Sequence, residues 1–247
     1  MERHAVVSGG GTGIGKAVAR RLAAEGSRVT ILGRRAEALA RAALEINDAT
    51  GADRVSTLVA DLVDPAQVAD AASEIRKAGA VDVLVLNAGG NLGGDAFSLE
   101  ELADAWRRNF DGNVLTAVLL TESLLPDLPR PGGRIVAITS VAALRGAGSY
   151  GAAKAAMHAW VMSLATELGP DGITVNAVAP GFIPDTEFWE GRLTDAIVAS
   201  RVDVTPVARP GTPEEVAEAV AYLASERAGF TTGQILQVNG GMVLGRG

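Results

Sequence analysis

Short runs of β-branched and other apolar residues alternate with longer alanine-rich stretches almost to the end of the chain. The runs predict strands at Ala5–Ser8, Arg28–Leu32, Arg54–Ala60, Asp82–Leu86, Arg134–Thr139, Thr174–Val178 and Ile235–Val238. The stretches between them predict helices near Ile14–Glu25, Ala36–Thr50, Pro65–Ala78, Leu99–Leu125, Tyr150–Leu168 and Pro213–Ser225. Pro65 and Pro213 stand where a first helical residue would be, a position that loses nothing by lacking an N–H. Strands alternating with helices predict an α/β fold: a doubly wound, mostly parallel seven-stranded sheet with helices on both faces. With no repeat, linker or compositional break, residues 1–247 are expected to form one domain.

Two predicted helices depart from the usual amphipathic pattern. In Tyr150–Leu168 and in the Asn113–Leu125 part of its predecessor, little polar face remains. Such helices must be covered on more than one side, by the rest of the chain or by a second subunit.

Composition narrows the function. Hydrophobic residues make up 48% of the 247, enough for a sizeable core. The net charge of -7, without any Lys/Arg run, gives no electrostatic reason to hold nucleic acid. The absence of cysteine excludes disulfides and thiolate metal sites. His4 and His158 have no partners at triad or metal-ligand spacing, so no metal and no hydrolase chemistry is expected. The apolar-rich region Val114–Leu125 is too short to span a bilayer, and residues 1–4 lead straight into a strand. These features predict a soluble, cytoplasmic protein without a membrane partner.

The first strand runs directly into Ser8-Gly9-Gly10-Gly11-Thr12-Gly13-Ile14-Gly15. Glycines there let the backbone approach a pyrophosphate, and the helix that follows offers free N–H groups and a positive dipole end. A glycine turn between a strand and a helix is the context a dinucleotide site requires. The second strand ends at Gly33-Arg34-Arg35, where an NAD site usually has an acid for the ribose. Two arginines suit a 2′-phosphate, so NADP(H) is expected over NAD(H). Asp61-Leu62 after the third strand could receive the adenine amino group, and Asn87-Ala88-Gly89-Gly90 after the fourth could pass close to a ribose. Either could equally be a turn.

Tyr150-Gly-Ala-Ala-Lys154 places a phenol and an ammonium one helical turn apart, with Cβ atoms about 5–6 Å from each other. An adjacent ammonium favours the phenolate and lets a tyrosine act as acid or base well below its ordinary pKa. Alone, such a pair is more often an ordinary surface contact.

Together these motifs resemble the short-chain dehydrogenase/reductase family along the chain from Ala5 to Val243. The resemblance rests on Gly9-x-x-x-Gly13-x-Gly15, Asp61, Asn87-Ala88-Gly89, Asn113, Ser140, Tyr150-x-x-x-Lys154 and Pro180-Gly181, with Thr232-Gly233-Gln234 and Val238-Asn239-Gly240-Gly241 near the end. It implies a Rossmann-type domain. It implies too that Tyr150 exchanges a proton with the substrate oxygen and that Lys154 lowers the tyrosine pKa and holds the nicotinamide ribose. Ser140 would bond the substrate oxygen, and Asn113, seven residues after Trp106, would support a water chain to solvent. Pro180 to Ile183 would line the nicotinamide. The pattern is most similar to 3-oxoacyl-(acyl carrier protein) reductase-like members, which implies reduction of a ketone to a secondary alcohol. An NAD-dependent sugar, polyol or steroid dehydrogenase is the related alternative, and a silent dinucleotide-binding regulator the alternative of another class. The implied assembly is a homotetramer or a homodimer, built on the two apolar helices.

Two departures stand out. Ser140 and Tyr150 are ten residues apart, about three fewer than in most relatives, so Val141–Ser149 must take a tighter path. Thr186, expected at the nicotinamide amide, lies one position later than in many relatives. Residues 184–209, with Phe188, Trp189 and Ile197 among Asp185, Glu187, Arg192 and Arg201, are expected to form a substrate lid.

Overall fold

The computed structural model describes residues 2–245. Seven strands form one sheet: β1 (His4–Ser8), β2 (Arg28–Gly33), β3 (Val55–Val59), β4 (Val83–Leu86), β5 (Arg134–Ile138), β6 (Thr174–Pro180) and β7 (Ile235–Val238). Their order is β3-β2-β1-β4-β5-β6-β7, and every pairing is parallel. The chain winds outward from β1 to β3 and then crosses back to place β4 on the other side of β1. That reversal opens a crevice at the carboxyl ends of β1 and β4, the usual ligand position in such sheets.

Alternation along each strand sends side chains to opposite faces. Ala5 and Val7 of β1 enter one buried cluster with Ile31, Val136 and Val220, whereas Val6 enters the other with Leu84, Leu120 and Met157. The first face is covered by α1 (Gly13–Ala24), α2 (Ala36–Thr50) and α9 (Pro213–Ala224). The second is covered by α3 (Pro65–Lys77), α5 (Thr116–Leu124) and α7 (Gly148–Leu168), with α4 (Leu99–Phe110) packed beside α7. Pro65 and Pro213 do open their helices; Asp64 caps α3, and Thr212 with Glu215 forms a capping box on α9.

The structure revises the single helix expected over Leu99–Leu125. Between α4 and α5 the chain takes a π turn at Asp111–Leu115. The side chain of Asn113 donates to the carbonyl of Asn109, 2.9 Å away, and so competes with the backbone for that acceptor. Periodicity also missed α6 (Ala142–Arg145) and α8 (Asp195–Asp203), both too short and too exposed to leave an apolar stripe. No helix among the described residues is long and apolar enough to cross a membrane.

Candidate active site

The glycine turn is held by its neighbours on both sides. Gly9 and Gly10 N–H groups donate to the Leu32 carbonyl, and Asn87 Nδ2 donates to the Ser8 and Gly9 carbonyls at 3.1 and 3.0 Å. Ser8 Oγ in turn accepts from the N–H groups of Asn87 and Ala88. Asn87 is therefore committed to the turn itself. Gly13 begins α1 at φ +50°, and a Cβ on Gly15 would stand 2.2 Å from the Gly9 carbonyl oxygen. Only glycine allows that backbone-on-backbone packing.

Above the turn lies a cleft of about 1270 Å³. It is lined at the adenosine end by Gly9, Thr12, Gly13 and Ile14, by Arg34 and Arg35 beyond β2, and by Asp61 and Leu62 beyond β3. Ala88 and Gly89 line its floor, and Pro180, Gly181, Ile183 and Thr186 its far wall. Gly15 and Asn113 are the two expected site residues that do not line it. A turn whose glycines leave no room for a Cβ, at a helix N-terminus beside two arginines, fits a dinucleotide with a 2′-phosphate.

Two placements were not legible in advance. Arg35, expected to suit a 2′-phosphate, is gripped by Glu187 through two bonds of 2.9 and 2.6 Å. Thr12 Oγ1 donates to the same carboxylate at 3.0 Å. Thr186 turns its hydroxyl back onto the Ile183 carbonyl and packs its methyl toward Gly13.

At the other end, Tyr150 and Lys154 lie in the first two turns of α7, both buried, with Lys154 Nζ 6.0 Å from the centre of the phenol ring. Lys154 Nζ donates to the Ile138 carbonyl at 2.9 Å. Burial lowers the Lys154 pKa to about 8. Burial pushes the Tyr150 phenol up, and the hydrogen bond with Ser140 opposes it.

Ser140 lines the cleft and accepts from the Ala142 N–H, so it serves the turn and faces the site at once. The short path from Ser140 to Tyr150 is made by α6 followed by Gly146 and Gly148 at φ +80° and +55°. It closes against Gly151, where a Cβ would stand 2.8 Å from the Ala142 carbonyl oxygen.

Asn113 is buried beneath the cleft. Both hydrogens of its amide are used, on Gly90 and Asn109 carbonyls, and its oxygen accepts from the Gly90 N–H. Its side chain braces the Gly89–Gly90 floor. Asn109, the rival position, ties Ser149 to the Leu92 N–H and so sets the loop at the mouth. His158 bonds Thr139 Oγ1 at 2.9 Å. Because the Thr139 hydroxyl hydrogen goes to the Val178 carbonyl, His158 Nε2 must carry the hydrogen and donate.

Over the phenol lies the turn Glu187–Trp189. Phe188 stands 5.4 Å from the Tyr150 ring, and Trp189 meets Phe182 edge-on at 5.2 Å. Among the described residues no cluster of side chains could hold a metal ion.

Comparison with known proteins agrees with this geometry. Residues 9–243 match the family model described as enoyl-(acyl carrier protein) reductase. The 3-oxoacyl-[acyl-carrier-protein] reductase FabG of Chlamydia muridarum is 35% identical over 98% of both chains. The galactitol 2-dehydrogenase (L-tagatose-forming) of Cereibacter sphaeroides is 34% identical over 97% of this chain and 94% of that one. The NADPH-bound structure of a short-chain oxidoreductase with an atypical catalytic center, from Pseudomonas aeruginosa PAO1, superposes with a TM-score of 0.88 at 29% identity. It covers 99% of this chain and 98% of its own. A parallel sheet with its glycine turn at the strand-order reversal, a buried Tyr–Lys pair beside it, and identity sustained over nearly the whole length identify the chain as a member of the short-chain dehydrogenase/reductase family, an oxidoreductase similar to the 3-oxoacyl-(acyl carrier protein) reductases.

Proposed function

We propose that the protein is an NADP(H)-dependent reductase that interconverts a ketone and a secondary alcohol, with Tyr150 as the proton donor and acceptor. The observation that carries this reading is the buried Tyr150–Lys154 pair, facing Ser140 at the inner end of a cleft that begins at Arg34 and Arg35. When bound, the nicotinamide supplies or accepts the hydride at the substrate carbon.

The chain's own part is to orient the substrate oxygen and manage its proton. Tyr150 donates its phenolic proton to that oxygen during reduction and removes it during oxidation. The phenol is protonated at neutral pH, the form that the reducing direction requires. Lys154, anchored on Ile138, stands where it can bond ribose hydroxyls and stabilise the phenolate once the proton has left. Ser140 bonds the same substrate oxygen. Asn113 acts through the floor it braces and is a positioning residue. Phe182 and the lid residues Phe188 and Trp189 exclude water from the reacting atoms and present apolar surface to the substrate.

Oxidation of a sugar or polyol is the second reading, supported by the similarity to the galactitol dehydrogenase. For assembly, a homotetramer or homodimer is supported by exposed apolar residues on the two helices singled out from sequence, Leu115 in the π turn and Met162 of α7, and by Leu102, Trp106 and Phe110 of the neighbouring α4. Phe230 and Tyr222 offer a second such surface.

The test is consumption of NADPH with an acetoacetyl thioester, a cyclic ketone, a vicinal diketone and a keto sugar, with Tyr150→Phe alongside. Turnover is expected to fall by about 10²–10⁴-fold in the variant while NADPH still binds. A variant as active as the parent would remove the tyrosine from the chemistry.

A further inference from the structure

The turn Glu187–Trp189 reaches both ends of the cleft. Its first residue puts a carboxylate on Arg35 and Thr12, at the adenosine end, with bonds of 2.6 to 3.0 Å. Its second residue sets a ring 5.4 Å from that of Tyr150, tilted by 47°, at the other end. The turn is internally tied: the Trp189 N–H donates to the Thr186 carbonyl, and the Glu190 N–H to that of Glu187. Its two contacts are therefore coupled. The carboxylate presents two oxygens to one edge of the guanidinium, the same two-pronged geometry a phosphate uses. A cofactor 2′-phosphate and Glu187 thus need the same donors of Arg35.

We propose that Glu187 is a phosphate surrogate that latches the lid, so that a 2′-phosphate arriving at Arg35 displaces it and thereby lifts Phe188 from Tyr150. The proposal rests on the reading of Arg35 as a 2′-phosphate site and adds a specificity determinant to it. A ligand lacking that phosphate has nothing to set against the Arg35–Glu187 pair and leaves the latch in place. The adjoining Arg34 has no carboxylate partner among the ion pairs of the described residues and is free to share an incoming dianion. The hydrogen bond with Arg35, with smaller help from Thr12, holds the Glu187 carboxyl below the usual carboxylate range, so the latch is charged at neutral pH. Both partners are substantially exposed, at 61% and 42%, so the latch is weak and reversible.

The experiment compares binding of 2′,5′-ADP and 5′-AMP to the full chain and to Glu187→Gln, read by calorimetry and by the fluorescence of Trp189, with Trp189→Phe identifying its share of the signal. Removing the charge should tighten 2′,5′-ADP by about two- to fivefold and leave 5′-AMP unchanged. In the parent chain 2′,5′-ADP should shift the Trp189 signal, and 5′-AMP should not. Equal tightening of both nucleotides, or of neither, overturns the latch. Arg35→Ala separates this from the parent reading. If it weakens 2′,5′-ADP while Glu187→Gln does nothing, the latch is wrong and the NADP(H) reading stands. If it leaves 2′,5′-ADP untouched, both fall.

Discussion

Lys154 shows how one residue can serve the site at the expense of the fold. An ammonium buried to 4% exposure with one carbonyl partner is held against its desolvation, which is why its pKa falls to about 8. A base whose folded pKa lies below its unfolded value binds fewer protons folded than unfolded in the window between them. Stability contributed by this group therefore rises with pH from about 8 toward the ordinary lysine value of 10.5. Lys154→Met keeps the length of the side chain and removes the titration. The difference in urea midpoint between variant and parent should move in the parent's favour across that window, and turnover should be lost. Parallel pH profiles would show that Lys154 is not desolvated as described. Spacing alone foretold that Lys154 shares a face with Tyr150. It could not reveal that both side chains are buried, because burial depends on everything packed around them.

At the scale of elements, the shortened Ser140–Tyr150 connection depends on Gly151. The loop closes because α6 lies against α7 where no Cβ intervenes, with the Ala142 carbonyl at 2.8 Å from the place one would take. Gly151→Ala should push α6 away and carry Ser140 with it, since Ser140 Oγ accepts from the Ala142 N–H. The expected cost is about 1–3 kcal/mol of stability, as for other overpacked sites. Turnover should fall while NADPH affinity at the far end of the cleft holds. A parallel loss of both would place the strain elsewhere. Sequence spacing announced a tight path there but not its form. Likewise the π turn in the expected Leu99–Leu125 helix lies where one asparagine side chain meets two carbonyls, that of Asn109 one turn back and that of Gly90, 23 positions away and outside any local helix signal.

For the whole molecule, charge and protonation act together. The chain carries a net charge of -7, yet its cleft is lined by six arginines (Arg34, Arg35, Arg108, Arg145, Arg192 and Arg201) and Lys154 against four carboxylates, Asp61, Asp111, Glu187 and Glu190. Such a reversal draws an anionic cofactor toward the one surface that can use it. Protonation bears on the fold through both histidines. His4, between the Ala80 carbonyl and Thr30, and His158, beside Thr139, are buried and held below the ordinary value of 6.5, in each case chiefly by desolvation. Each must be neutral in the folded chain but takes a proton when unfolded, so stability is lost as pH falls below about 6.5. A urea midpoint that declines from pH 7.5 to 5, with a shallower slope in His158→Gln, is the expected result. An unchanged slope would show that His158 titrates alike in both states.

The sequence by itself determined the alternation of strands and helices, the glycine turn and the Tyr150–Lys154 register. Each is a local matter of backbone freedom or side-chain period, written in residues a few positions apart. Only the tertiary structure decided that Glu187 lies on Arg35, that Asn113 braces the floor under the cleft, and that Phe188 covers Tyr150. Those partners are separated by 152, 23 and 38 positions, and the burial and charge they share exist only once the sheet has brought them together.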